Sequence, residues 1–428
     1  MSRTDGPSTS QADAARRNIV AGTVGNVLEW YDLAVYGYLA TIIGTLFFPA
    51  GDPMASLLAA FGVFAIGFAA RPLGGLVFGH LGDKLGRKPP LLHSVFMMGG
   101  ATLAIGLLPV HAQIGAVAAI LLVMMRIAQG LSVGGEYTGS VILLAEHAPP
   151  ERRGYYAVWP EFGCIIGFLL GSGIAALTTG VLGHERMVAW GWRIPFLLGA
   201  VIAVWGIACR RHITESPVVT RANRPPDGSA LVAVVAQWRP IVRLVCLMLM
   251  FCITFYMMFV YAASYLVDRM HVSTARALDI NTVSLVIMLA LIVPSAMLSD
   301  RVGRKPMLYA ITIGMFVLAW PLWWLMHQAT LAAILAGQAG FAVLLGLTAG
   351  VAPVAMSEML PANVRCMAVG VGYNLTMALF GGTAPLIATY LVARTADDFM
   401  PAYYMMAVAA VSFIAVLGLP ETAGKQLS

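Results

Sequence analysis

A chain of 428 residues that is 59% hydrophobic and only 11% charged is not composed like a soluble enzyme, since soluble domains carry about 25% charged residues. Twelve membrane spans of roughly 20 apolar residues each would use about 240 residues, which that apolar fraction supplies; its spread along the whole chain excludes a one-span receptor and an outer-membrane barrel. The net charge of +6 reads as loop charge that orients a membrane protein, so no nucleic-acid partner is expected.

Residues 1–18 are polar and Ser-rich and end in Arg16 and Arg17. No short apolar segment with a cleavage site follows them, so they read as a cytoplasmic tail before a retained span. Spans are predicted at 19–44, 56–80, 91–109, 113–146, 154–178 and 190–209, an N-terminal bundle over 19–209. The stretch 210–239 holds Arg221, Arg224, Pro225, Pro226, Asp227 and Gly228 and reads as a cytoplasmic linker. Further spans at 240–266, 279–298, 307–326, 330–357, 366–392 and 400–419 make a C-terminal bundle over 240–419. Residues 420–428 form a second cytoplasmic tail. The predicted class is an all-α integral membrane protein, twelve helices in two pseudo-symmetric six-helix bundles. With the N-terminus inside, 19 Lys and Arg fall on inner segments and 5 on outer ones. That bias places both termini in the cytoplasm.

The two bundles repeat one another. Gly82-Asp83-Lys84-Leu85-Gly86-Arg87-Lys88-Pro89 matches Ser299-Asp300-Arg301-Val302-Gly303-Arg304-Lys305-Pro306. Glu146 with Arg153 matches Glu358 with Arg365, and Thr214-Glu215-Ser216 resembles Pro420-Glu421-Thr422. Each copy falls at an equivalent cytoplasmic helix end, as expected of parallel six-helix repeats. Gly82 and Gly86 permit a tight turn, and Asp83 suits a helix N-terminus. Arg87 and Arg153 are expected to pair with Asp83 and Glu146. The gating set is thus Asp83, Arg87, Glu146, Arg153, Asp300, Arg304, Glu358 and Arg365, which would hold the halves together on the inner side. The alternative is a set of solvated, topology-fixing charges.

This pattern resembles the major facilitator superfamily over essentially the whole chain. Local signatures are similar to the metabolite:proton symporter family: Gly25-Asn26-Val27-Leu28-Glu29-Trp30-Tyr31-Asp32, Arg71-Pro72-Leu73-Gly74-Gly75, Gly134-Gly135-Glu136-Tyr137-Thr138-Gly139 and Trp190-Gly191-Trp192-Arg193-Ile194-Pro195-Phe196. Within it the chain most resembles the proline/betaine transporters, through Gly135–Gly139, Glu161-Phe162-Gly163 and Met400-Pro401-Ala402-Tyr403-Tyr404. The resemblance implies alternating access in a bacterial-type inner membrane and proton-coupled import of a small zwitterion. It implies a monomer in the lipid bilayer whose partners are the solute and protons, with no cofactor and no metal. Osmosensory members of that subgroup carry a long C-terminal coiled coil, which the short stretch 420–428 does not form.

A charge in the bilayer core needs a partner, a cavity or a function. Away from their ends, the predicted spans hold the charges Glu29, Asp32, Arg71, Arg126, Glu136 and Glu161, all in the first half, so proton coupling is expected there. Glu29 and Asp32 lie three apart on one helix face, roughly 15–20 Å from the inner end of the first span. Arg71 and Arg126 lie roughly 20 Å below the outer ends of theirs, so the four are expected to meet near the midplane. Asp32 and Glu29 are the leading proton carriers, with Glu136 and Glu161 next. Permanent salt bridges that merely pack the helices are the structural alternative.

Arg126 suits a substrate carboxylate, because its fork bonds in bidentate fashion; Arg71 is its companion. Trp30, Tyr31, Tyr36, Trp159, Phe162, Tyr256, Tyr261 and Tyr373 could offer aromatic faces to a quaternary ammonium. The second half offers polar but uncharged candidates, Thr254, Tyr256, Gln338, Asn374 and Thr376; Gly381, Gly382 and Pro385 after Asn374 would let its helix bend, the alternative being helix packing through small residues. Arg71 and Arg126 would also serve an organic-acid symporter, which Glu161 disfavours. A proton-antiport exporter is the third reading. No glycine loop followed by Lys-Ser/Thr is present to cradle ATP, so no enzyme activity is expected.

Overall fold

In a bilayer every backbone amide must be satisfied within the protein, which for a long apolar segment means a helix. The computed structural model describes residues 9–75, 77, 88–210, 236–328, 330–361 and 365–427. The described residues form twelve helical segments: α1 (Thr9–Tyr38), α2 (Pro53–Gly75), α3 (Lys88–Leu107), α4 (Val117–Glu146), α5 (Pro150–Gly191), α6 (Arg193–Arg210), α7 (Trp238–Asp268), α8 (Thr274–Val302), α9 (Arg304–Met326), α10 (Leu331–Glu358), α11 (Met367–Thr395, preceded by a first turn from Arg365) and α12 (Met400–Leu417). Each coincides with one predicted span. α1 begins at Thr9, inside the predicted tail, breaks at Leu39 and continues as Ala40–Phe47. α5 runs well past its predicted end at 178, through a left-handed Gly183, and leads almost directly into α6. Gly180 and Gly183 and the polar run His184-Glu185-Arg186 interrupt the apolar pattern there, which is why hydropathy alone stopped too early. Of the predicted linker 210–239, residues 211–235 lie outside the described residues, and its last two, Trp238 and Arg239, begin α7.

The two halves pack alike. α1 packs on α5 and α6, α2 and α6 flank α3 and α4 through the pairs α2–α4, α3–α4 and α3–α6. The second half repeats every one of these pairings: α7 with α11 and α12, α8 with α10, α9 with α10 and α9 with α12. The halves meet through two equivalent seams, α5–α8 and α2–α11, and through α4–α10 and α1–α7.

Glycine seams set the helix spacing, because small residues let membrane helices approach closely. Gly163 and Gly167 of α5 lie on α1 so tightly that a Cβ would stand 2.4 Å from the carbonyl oxygens of Thr23 and Val27. At Gly130 of α4 a Cβ would stand 1.9 Å from the Gly67 carbonyl oxygen of α2. Wide turns open in three helices, at Met187–Gly191, Met257–Tyr261 and Met377–Gly381. Such turns recur at functional sites because they re-aim side chains and free carbonyls. The third lies where Gly381 and Gly382 were expected to let α11 bend.

Candidate functional site

The α1–α5 and α2–α4 seams bring four charges together in the first half. Glu29 and Asp32 come from α1, Arg71 from α2 and Arg126 from α4, and all four are buried. Arg71 Nη2 lies 3.6 Å from Glu29 Oε1, and Arg126 Nη1 lies 3.9 Å from Asp32 Oδ2. Two guanidiniums face two carboxylates, so the ionised cluster is neutral; an unpaired charge at such depth would be far costlier. The Arg71 guanidinium carbon lies 4.3 Å from the Phe68 ring centroid and 5.7 Å from that of Trp30. That of Arg126 lies 4.3 Å from Tyr36 and 5.5 Å from Phe64. A narrow cavity runs along the cluster, lined in part by Glu29, Leu33, Phe68, Arg71, Arg126 and Gln129.

Two uncharged residues complete the cluster, and neither was singled out from the sequence. Gln129 Oε1 accepts from Arg126 Nη1 at 2.8 Å, while Gln129 Nε2 donates to Asp32 Oδ2 and, at 3.1 Å, to Thr102 Oγ1. Thr102 Oγ1 on α3 lies 2.6 Å from Asp32 Oδ1. At 3.9 Å the direct Arg126–Asp32 contact is too long for a hydrogen bond, so Gln129 connects the pair. The signal was there: Gln129 follows Arg126 by three residues and shares its helix face.

The remaining candidates divide. Glu161 of α5 accepts from the Tyr137 hydroxyl at 2.5 Å, and Tyr137 stacks on Tyr373 of α11 at 4.7 Å. Tyr256 of α7 is buried among Phe64, Phe68, Phe168 and Phe255, which carries the aromatic wall across the boundary between halves. Trp30 joins that wall through Phe168 and Phe255. The Tyr256 hydroxyl and the Trp30 indole nitrogen are buried without a hydrogen-bond partner among the described residues. Such groups are costly and rare. Asn374 donates to the Gly134 carbonyl at 2.6 Å, tying α11 to the break in α4, and Glu136 begins the helical stretch after that break. Four aromatics, Tyr31, Trp159, Phe162 and Tyr261, lie elsewhere. Tyr31 turns to α6, where its hydroxyl donates to the Pro195 carbonyl at 2.6 Å. One helical step from Trp30 changes the face presented, which is why adjacent aromatics do not share a site. Trp159 packs with Tyr155 and Phe162 near the start of α5. Tyr261 lines a crevice between α2, α7 and α11 with Leu57, Tyr265 and Thr389.

The repeated charged motifs meet at one end of the bundle, its base, in a network across the halves. Arg153 donates to Glu358 at 2.7 Å and Arg365 donates to Glu146 at 2.9 Å. The expected Arg153–Glu146 pairing is therefore corrected: each residue pairs with the other copy. The pseudo-twofold arrangement sets the ends of α4 and α5 against those of α10 and α11, so partners in sequence become neighbours crosswise. Arg304 reaches Glu358 at 3.3 Å and Asp300 at 2.8 Å, and Asp300 accepts from the Gly154 and Tyr155 amides at 2.9 and 3.0 Å. Asp83 and Arg87 lie outside the described residues.

Residues after α12 are part of this network rather than a free tail. Thr422 Oγ1 donates to Glu358 at 2.6 Å and Arg153 donates to the Lys425 carbonyl at 3.0 Å. Glu421 caps α9, accepting from the Arg304 and Lys305 amides at 2.9 and 3.0 Å. Burial pushes the Glu421 carboxyl up, but backbone amides of Ala423, Arg304, Lys305 and Thr422 together hold it below the ordinary value. Gly303, at φ 108°, makes the turn into α9 directly over that carboxylate; a Cβ there would stand 2.6 Å from Glu421 Oε2.

A family model described as sugar (and other) transporter matches residues 18–225 and again 221–428. The proline/betaine transporter of Salmonella typhimurium is 36% identical over 424 residues, 96% of this chain and 85% of the relative. A glycine betaine/proline/ectoine/pipecolic acid transporter of Dickeya dadantii is 35% identical, over 96% of this chain and 84% of its own length. An ectoine/proline transporter of Corynebacterium glutamicum is 36% identical, over 96% and 85%. Among solved structures, the proton:xylose symporter XylE bound to 6-bromo-6-deoxy-D-glucose superposes with a TM-score of 0.77 at 21% identity, over 97% of this chain and 98% of that chain. The chain therefore belongs to the sugar (and other) transporter family of the major facilitator superfamily. It is a multi-pass membrane transporter, not an enzyme.

Proposed function

We propose that this transporter imports a small zwitterion of the proline or betaine kind together with protons, by alternating access. It does so as a monomer across a bacterial inner membrane, with the base of the bundle and both termini facing the cytoplasm. The observation that carries this reading is the neutral cluster of two Arg and two carboxylates walled by aromatic rings. A neutral cluster has no spare cation for a di- or tricarboxylate. When one carboxylate takes a proton, one guanidinium is released for one carboxylate of the solute. The relatives described above are named for proline, betaine and ectoine transport.

In this reading Asp32 and Glu29 carry the proton, with Glu161 and Glu136 in supporting roles. Arg126 takes the solute carboxylate in its bidentate fork. The solute ammonium rests on the faces of Trp30 and Tyr256, with Glu161 behind them through Tyr137. The orphaned Tyr256 hydroxyl and Trp30 nitrogen gain a polar partner when the solute binds. The crossed pairs Arg153–Glu358 and Arg365–Glu146 hold the cytoplasmic side shut while the outer side admits solute. Their rupture opens it.

The test is uptake into proteoliposomes with an acidic exterior. Labelled betaine and proline should accumulate, and accumulation should collapse with a protonophore. Uptake confined to 2-oxoglutarate, citrate or shikimate would replace the zwitterion with an organic acid. Solute moving against the proton flux would make the protein an exporter.

A further inference from the structure

Gln129 and Thr102 determine which atom of Asp32 takes the proton. A guanidinium only donates, so the Gln129 carbonyl must face Arg126 and its amide nitrogen must face Asp32 Oδ2. That oxygen is committed as an acceptor as long as Arg126 stays on Gln129. Among the described residues the other oxygen, Oδ1, is hydrogen-bonded by the Thr102 hydroxyl alone, at 2.6 Å. Thr102 Oγ1 has a second acceptor in reach, the Met98 carbonyl at 2.9 Å. With Asp32 ionised, the Thr102 proton points to Oδ1 and the hydroxyl oxygen accepts from Gln129. With Asp32 protonated on Oδ1, the acid O–H donates to Thr102, whose own proton turns to Met98. Both states are fully hydrogen-bonded, and only a hydroxyl rotates.

We propose that Thr102 is a hydroxyl switch that lets Asp32 take and give up a proton at Oδ1 with no heavy atom displaced, Gln129 keeping Oδ2 fixed. This rests on the reading of Asp32 as a proton carrier. The proton comes from the outer solution, is held on Oδ1, and leaves to the cytoplasmic side; no other bond forms or breaks. Neutral Asp32 leaves Arg126 without its counter-charge, and the cluster then attracts one solute carboxylate. The other charged groups near Asp32 are Arg71 from α2, and Glu29 and Tyr36 from α1. From α5, Glu161 is bonded to Tyr137, and α6 offers the Pro195 carbonyl, taken by Tyr31. Across the boundary α7 brings Tyr256.

Thr102 is thus a positioning residue, and its removal should move a pH profile. Thr102→Val keeps the shape and deletes the hydroxyl; Thr102→Ser restores it. The ionised form loses a charge-assisted bond and the neutral form a weaker one. The midpoint of the pH dependence of betaine affinity should rise by about one unit in T102V, a tenfold change in proton affinity. T102S should keep the wild-type midpoint, and Asp32→Asn should be flat. A T102V midpoint equal to wild type beside a flat D32N profile overturns the switch alone. A D32N profile like wild type removes Asp32 as carrier. A second arm needs neither a solute nor a Thr102 variant. Acid titration of the wild-type protein by infrared spectroscopy should show one carboxylic C=O band that is absent in D32N and shifted to the frequency of a hydrogen-bonded acid. A free-acid frequency for that band overturns the proposal.

Discussion

The two halves are built from the same helix pairs, yet their middles carry opposite chemistry. In the first half the place between α1, α2 and α4 is charged. In the second, the corresponding place holds amides. Arg126 stands twenty residues before Glu146, and Gln338 stands twenty before Glu358. Gln338 donates to the Met258 carbonyl at 3.3 Å and to Asn281 Oδ1 at 3.2 Å, and Asn281 donates to the Phe259 carbonyl at 3.4 Å. Those carbonyls belong to the wide turn of α7, which frees them from ordinary helical bonding. At the base the two halves keep the same chemistry and exchange partners. The repeat therefore preserved the crossed Arg–Glu pairs at the base, proposed above as a latch. It diverged in the middle, where the proposed proton exchange is confined to the first half.

The largest effects should come from breaking the charged middle. Arg126→Ala leaves Asp32 buried and uncompensated, a loss of about 3–5 kcal/mol. Solute affinity, read by betaine-induced thermal stabilisation, should fall by roughly 100-fold or more. Unchanged affinity would remove Arg126 from the solute site. Asp32→Asn keeps the shape and should abolish pH-driven accumulation while solute exchange persists. Full uphill uptake in that variant would take Asp32 out of coupling.

Next come the base contacts. Glu358 holds Arg153, Arg304 and Thr422 at once with a buried side chain, whereas Glu146 holds Arg365 from a side chain that is 37% exposed. Exposed pairs contribute about 0–1 kcal/mol, while removing one partner of a buried pair costs about 3–5 kcal/mol; the Glu146–Arg365 pair lies between, because Arg365 is buried but also donates to the Leu360 carbonyl. Glu358→Gln, which strands two guanidiniums, should therefore open the base more than Glu146→Gln, which strands one. A cysteine placed at the buried Ala157 should react faster with an impermeant maleimide from the base side in E358Q than in E146Q. Equal rates would show that the crossed pairs act as one unit.

The amide middle of the second half should behave as structure. Gln338→Ala leaves the Met258 carbonyl short of a donor, a cost of about 1–3 kcal/mol. The melting temperature should drop while the pH midpoint of transport stays put. A moved midpoint would mean that the second half takes part in proton coupling after all.

Spans and the latch motifs were legible because hydropathy and repetition are properties of one chain read in order. The identity of the latch partners was not: an offset shows that Glu146 and Glu358 are equivalent, but only the pseudo-twofold packing tells Arg153 to meet the other copy. Buried charge flagged Glu29, Asp32, Arg71 and Arg126. Thr102 escaped because a hydroxyl on an apolar helix carries no signal until α3 is placed beside Asp32. Tyr31 and Trp30 show the complementary failure. Composition grouped them, and a 100° step around the helix separated them.

The mildest test concerns the segment after α12, which sharpens the comparison at the base. Glu421 receives backbone amides from α9 and from its own turn, so its ionised form is favoured in the folded protein. With its carboxyl held below the usual value of about 4.3, the cap is fully present at neutral pH and lost only as pH falls through that lowered value. Glu421→Gln keeps an acceptor but loses the charge that attracts the α9 N-terminus, an effect worth about 0.3–1 kcal/mol at such ends. Its labelling at Ala157→Cys should rise about two- to fivefold, well short of E358Q. A rise as large as that of E358Q would make this short segment, rather than the crossed Arg–Glu pairs, the main fastening of the base.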